Sequence, residues 1–311
     1  TLYEFCSNSR SAEANKRNMW SQPLSSGEPG WSLLLNALNV VPEDAVGLLW
    51  VLSSNEDGLD KLKPAGDIIS RLYRLCQRFQ KDRQSSLLVE AGLGCISNFA
   101  SAQDTPISAV DATAICILAL SLIPVHLRSS PSLCTEACAV VSNLAAFANK
   151  TTIVDQGGID DLSLAMTEYH KDEALHAEAV NALLALLKDS LHVKEASTAS
   201  MTFSTLLGLF RMHESSPKWQ TTACQLFASI FAMDGMLATE LERGGLNAIC
   251  EAMSMHPNYE KVQESACVAL SNFSGRPESG RVLAASEAVD LALVAMHEFP
   301  KNLTIQIMTC I

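Results

Sequence analysis

A chain of 311 residues with 48% hydrophobic side chains and only 11 prolines and 15 glycines has ample material for a continuous core, which excludes a low-complexity or disordered segment. A net charge of −12 opposes broad contact with a phosphate backbone, so nucleic acid is excluded as an expected partner and a basic or neutral protein is favoured. Ten cysteines without a compact framework of close pairs read as reduced thiols of a cytoplasmic or nuclear protein, and no unbroken apolar run reaches the roughly 18 residues of a membrane span.

Along the chain, residues 1–9 read as the tail of a helix, Ser11 to Met19 as a short polar helix, and Gln22 to Gly30 as a joint rich in helix breakers. Trp31 to Val40 is apolar and helical, Pro42 opens the next helix where a missing N–H costs little, and Asp44 to Leu52 follows. From there the pattern settles into units of three helices. The second helix is expected to start at a break placed at Gly66, Asp111, Gly157, Ser200, Gly244 or Glu287, the glycine pairs 157–158 and 244–245 being the sharpest. Pro124, Pro217, Pro257 and Pro300 mark the turn that keeps the second and third helices from fusing.

The third helices carry the repeat. Val262-Gln-Glu-Ser-Ala-Cys-Val-Ala-Leu-Ser-Asn-Phe273 returns in degenerate form, and with Asn272 as marker the copies place Val51, Asn98, Asn143, Ala185 and Ser229 at the same position. Successive markers differ by 47, 45, 42, 44 and 43, a period that signals a helical solenoid. Cys6-Ser-Asn8 lies 43 before Val51 and Gln306 lies 43 after Gln263, so the chain is expected to be a fragment of a longer solenoid. The expected repeats are 1–9 (partial), 10–55, 56–100, 101–145, 146–187, 188–231, 232–274 and 275–311 (partial), in one domain spanning 1–311.

These third-helix copies, with small-residue breaks downstream, resemble the armadillo repeat of importin-alpha and beta-catenin over essentially the whole chain, with two-helix HEAT repeats as the near alternative. The resemblance implies an all-α, right-handed superhelical solenoid of about six three-helix repeats. It also implies a groove lined by third helices, where the marker amide pairs with the backbone of an extended peptide. That role falls to Asn98, Asn143 and Asn272, with Ser229 as a shorter substitute and Asn8 if the groove extends backwards. The alternative is that the same amides bond a neighbouring repeat's backbone. Four residues before the markers, where importin-alpha-like repeats keep tryptophan, stand Gly94, Ala139, Asn181, Gln225 and Val268. Without that array, binding of nuclear-localisation signals is not expected, and Asn181 and Gln225 become the candidate specificity residues.

Seven or eight residues before the markers, Glu43, Asp44, Glu90, Glu136, Glu178 and Glu264 form an acidic row, read either as first-turn carboxylates favoured by the helix dipole or as a surface selecting a basic or mixed peptide. His126, His170, His213, His256 and His297 recur at intervals of 41 to 44, each at the end of a second helix. Repeats about 8–10 Å apart cannot share one metal ion along that row. The reading is a partly charged imidazole at the negative helix end. Cys138, Cys224 and Cys267 share one position and read as small buried hydrophobes. Arg71, Arg74 and Arg78 form one stripe opposite Ile68, Leu72, Leu75 and Phe79, a solvated face.

No nucleophile elbow, phosphate loop or zinc-protease motif is present, so no catalytic residue, metal or cofactor is expected. The expected function is a non-enzymatic scaffold that binds a protein segment in its groove. The alternatives are a structural component of a cytoskeletal or axonemal assembly and a regulatory module of an enzyme complex.

Overall fold

A computed structural model describes residues 30–62, 66–102, 107–169, 171–187, 196–232, 239–276 and 279–310. The readings of residues 1–29, Asn8 included, and of His170 lie outside them. Among the described residues every regular element is helical, so the all-α expectation holds. The chain falls into two compact units, Thr1–Asn149 and Lys150–Ile311.

In the first unit the helices are α1 (Gly30–Ala37), α2 (Pro42–Ser53), α3 (Glu56–Leu62), α4 (Ile68–Phe79), α5 (Ser86–Ser101), α6 (Ala109–His126) and α7 (Pro131–Leu144). The marker helices α2, α5 and α7 stack in that order, with α4 packed on α5 and α6 on α7. In the second unit α8 (Lys150–Asp155), α9 (Gly158–Glu168) and α10 (Glu173–Leu187) form a complete three-helix repeat. They are followed by α11 (Ala196–Met212), α12 (Pro217–Phe231), α13 (Thr239–Met255), α14 (Glu260–Ser274), α15 (Ser279–Ala284), α16 (Ala288–Glu298) and α17 (Leu303–Met308). Here α10, α12, α14 and α17 stack as third helices, and α9, α11, α13 and α16 as second helices.

Four third helices start at a capping side chain, thirteen residues before the marker for Ser130, Asp172 and Ser216 and 43 after Tyr259 for Asn302. Ser130, Asp172, Ser216 and Asn302 accept from the N–H groups of Leu133 (3.3 Å), Leu175 (3.0 Å), Trp219 (3.4 Å) and Ile305 (3.1 Å), satisfying donors the helix leaves orphaned. Pro131 and Pro217 follow directly, at the position that needs no N–H. Behind this edge, side chains at fixed register interlock. The first unit buries mostly aliphatic groups such as Leu48, Leu49, Leu72 and Leu93, whereas the second adds Phe210, Trp219, Phe227 and Phe273.

Two kinds of expected break behave differently. Gly157 has φ +85° and ends the preceding turn in the left-handed conformation, as expected. Gly244 does not break anything: α13 runs straight through it. A Cβ there would come within 2.9 Å of Leu207 Cδ1, so this glycine permits close approach of α11 and α13 instead. Likewise α11 runs through Ser200, and α6 begins before Asp111, at a cap made by Ser108. Pro124 lies inside the last turn of α6, not in the turn after it.

Helix α6 is also long and apolar enough, by length and composition, to cross a membrane, which the search for an unbroken apolar run overlooked. Half of that stretch is buried, and Leu118, Leu122 and Ile123 pack inside the first unit, so it serves as a core helix there.

Candidate functional site

The marker face was expected to offer free amides, and the structure spends them otherwise. Asn98 Nδ2 donates to Ser53 Oγ (3.1 Å), Asn143 Nδ2 to Ser97 O (3.2 Å) and Ser97 Oγ (3.0 Å), and Asn272 Nδ2 to Ala228 O (2.9 Å). In each case the acceptor belongs to the preceding repeat, so the ladder ties repeats together. Asn143 Nδ2 makes two such contacts, both to Ser97, which leaves its carbonyl oxygen as the group for a ligand. Asn98 and Asn272 keep one N–H and the carbonyl oxygen. Ser229 donates its hydroxyl to its own helix at Gln225 O (3.1 Å). Asn181 is half-buried and Gln225 exposed, at one register on α10 and α12.

The acidic row is similarly committed. Glu90 is only 7% exposed and accepts from Ser130 Oγ (3.1 Å), the cap of the next marker helix, so it does not face a ligand. Glu264 accepts from Lys261 (3.2 Å) and from Asn302 Nδ2 (3.2 Å), again the next repeat's cap. Glu173 repeats the arrangement with Ser216. Glu136 and Glu178 are half-buried; burial pushes the Glu178 carboxyl up, with Lys218 opposing. A cap-to-carboxylate contact between successive repeats thus occupies Glu90 and Glu264 of the row, and Glu173 outside it.

The empty tryptophan position has a physical counterpart. A Cβ at Gly94 would collide with the indole of Trp50, which lies across it from the preceding repeat. An aromatic therefore does stand on this face, supplied from one residue before a marker, and its distance in sequence from Gly94 hid it.

A second ladder showed in the sequence only as the recurrence of Gln263 at Gln306, without a role. Gln220 Nε2 donates to Phe210 O (2.9 Å) and His213 O (3.1 Å), Gln263 to Met253 O (2.9 Å) and His256 O (3.0 Å), and Gln306 to Met296 O (2.9 Å) and Phe299 O (3.4 Å). Gln220 and Gln263 sit nine residues before a marker, Gln306 lies 43 after Gln263, and each ties up two carbonyls at the end of its second helix. His176 fills this position one repeat earlier, with Nε2 on Met166 O (3.1 Å) and Nδ1 on His213 Nε2 (2.7 Å).

The histidine row divides accordingly. Burial pushes the His213 imidazole below its usual value, with Glu173 opposing, which reverses the expectation of a charged helix-end imidazole there. His256 Nε2 bonds Glu214 O at 2.7 Å, across repeats, and His126 is fully buried with neither ring nitrogen partnered. All nine described cysteines are free thiols and eight are buried, Cys76, Cys116 and Cys134 being pushed up to about 12 by burial. Thiols held up by burial stay protonated at neutral pH and are poor nucleophiles. Arg74 and Arg78 are exposed opposite buried Ile68, Leu72 and Leu75, and Arg71 pairs with Asp67 at 2.7 Å.

Among solved structures, an engineered protein from a structural-genomics consortium aligns with a TM-score of 0.68 at 17% identity, over 99% of this chain and 75% of that one. A designed armadillo repeat protein in complex with the peptide (KR)4 aligns at 0.53 and 18% identity, over 78% and 98%. The fold is armadillo-like. A structure from work on a phosphorylation switch in the interaction between cadherin and beta-catenin agrees at 0.56 and 15% identity, over 99% and 67%. No protein-family profile and no curated protein matches the sequence. At these identities the armadillo-like likeness concerns the fold.

Proposed function

We propose that this chain is a non-enzymatic protein-binding scaffold that takes an extended segment of a partner across its marker helices. The observation that carries the reading is the shared register of Asn181 and Gln225 on the stacked helices α10 and α12 of the second unit, while Asn98 in the first unit and Asn272 in the second each keep polar atoms after the inter-repeat bond is made. Such a face pairs with a main chain through amide groups and selects side chains between them. The armadillo-like neighbours include a complex with a basic peptide, and a net charge of −12 suits a basic or mixed segment here. Buried free thiols suit the reducing cytoplasm or nucleus.

Affinity capture from a eukaryotic lysate tests this, comparing wild type with Asn181→Ala/Gln225→Ala. Both side chains leave the surrounding core intact, so loss of a captured partner with unchanged thermal unfolding is expected. A partner retained in full by the double variant overturns the reading. Capture through a basic segment further requires that retention fall as salt rises from 50 to about 300 mM, because screening shortens the reach of exposed charges.

A further inference from the structure

Away from the marker face, the second unit contains a cavity of about 500 Å³ built from the ends of the second helices α11 and α13 and the joint before α16. Gln220 lines it. This side chain is 1% exposed, its Nε2 is held by Phe210 O and His213 O, and its Oε1 is buried without a partner. A buried amide oxygen loses its water on folding and recovers that cost only when a donor reaches it. Three carboxylates stand around the same space, Glu214, Glu251 and Glu287, each from a different repeat, against one cation, Arg211. Among the described residues none of the three is paired with Arg211. The Cys250 thiol between them is held up at about 11, by burial first and by Glu287 and Glu251 next, which places those two charges close to the cavity. Phe210 and the half-exposed Met255 supply apolar wall.

We propose that this cavity is a receptor for one arginine side chain displayed by a partner polypeptide. Acceptors spread around a wide void suit a planar guanidinium, whose five N–H groups point outward in a fixed fork, better than an ammonium with donors at a single point. One edge of the fork reaches Gln220 Oε1 and the other the carboxylates, while the aliphatic stem lies on Met255 and Phe210. The site is distinct from the marker face: Gln220 comes from the buried side of α12 and the rest of the lining from α11, α13 and the turns after α11 and α15, so it would operate whether or not that face binds a segment.

The test uses the full 311-residue chain with its methionine methyls labelled for NMR, Met255 being assigned by Met255→Leu. Titration with acetyl-Gly-Arg-Gly-amide is expected to shift Met255 saturably. Glu251→Gln and Glu287→Gln, both at exposed positions, are expected to weaken that binding about tenfold each, as the loss of a charged hydrogen bond does. They should leave the urea midpoint unchanged. No shift at Met255, an equal response to the citrulline or lysine peptide, or equal affinity in the Glu251→Gln/Glu287→Gln double variant overturns the proposal. Binding of agmatine as tight as that of the peptide overturns the assignment to a polypeptide.

Discussion

The two units solve the same junction differently. Nine residues before the marker the first unit carries Val89 and Cys134, fully buried and apolar, whereas the second carries His176, Gln220, Gln263 and Gln306, whose side chains tie up carbonyls at the ends of second helices. In the first unit the end of α6 is closed locally, Ser129 N, Ser130 N and Ser129 Oγ all donating to His126 O at 2.9, 3.0 and 3.2 Å. The consequence shows at the histidine of that turn: His126 is buried without a partner, while His213 and His256 are bonded across repeats. A polar side chain at one register therefore decides whether a repeat's edge is a hydrogen-bonded joint or a packed one.

The largest expected effect comes from removing such a joint. Gln263→Met keeps the volume and leaves the carbonyls of Met253 and His256 without their side-chain donor, at a cost of about 2–3 kcal/mol. Cys134→Ala, at the same register in the first unit, removes one buried group and costs about 1 kcal/mol. Urea unfolding followed by circular dichroism measures both, and equal losses would remove the distinction between the units. Smaller, and opposite in sign, is His126→Leu: replacing an unpartnered buried imidazole by an apolar side chain of similar size is expected to raise stability by about 1 kcal/mol. A loss of stability in that variant would mean that the imidazole has a partner.

Much of this architecture was legible in the sequence because each repeat buries the same positions, and a burial pattern repeated at intervals of 42 to 47 survives wide drift in residue identity. The helix starts were less legible. Gly244 looks like Gly157 in sequence, yet one serves a close helix approach and the other a left-handed turn, and only the residue opposite, Leu207, tells them apart. The marker amides misled for a related reason: a carbonyl of the preceding repeat and a carbonyl of a bound peptide attract the same N–H. Gln263 and Gln306 were visible as a recurrence, but their role depends on which carbonyls lie ten and seven residues back once the second helix ends. The cavity around Gln220 draws on three repeats, so no local motif announces it.

The finest distinction lies within the second unit, where His176 stands in place of glutamine. Its Nε2 faces a carbonyl, which can only accept, so the ring carries its proton there and Nδ1 is the acceptor from His213 Nε2–H. A proton added at His176 Nδ1 would require His213 to carry its own proton on Nδ1, so that Nε2 could accept. Burial already lowers His213, with Glu173 opposing, so the folded chain resists protons that the unfolded chain accepts near the usual histidine value of 6.5. Stability contributed here is therefore present above that value and lost as pH falls from 7 toward 5. Asp161 acts in the opposite sense, since burial and Asp160 raise it to about 6 and the folded state takes up its proton more readily, but it is common to both proteins compared. His213→Gln removes that imidazole and keeps a side-chain amide to donate to His176 Nδ1. It is expected to hold the pH 7 urea midpoint and to shrink the fall between pH 7 and pH 5. A fall as steep as in wild type would show that the His213 imidazole is not what titrates.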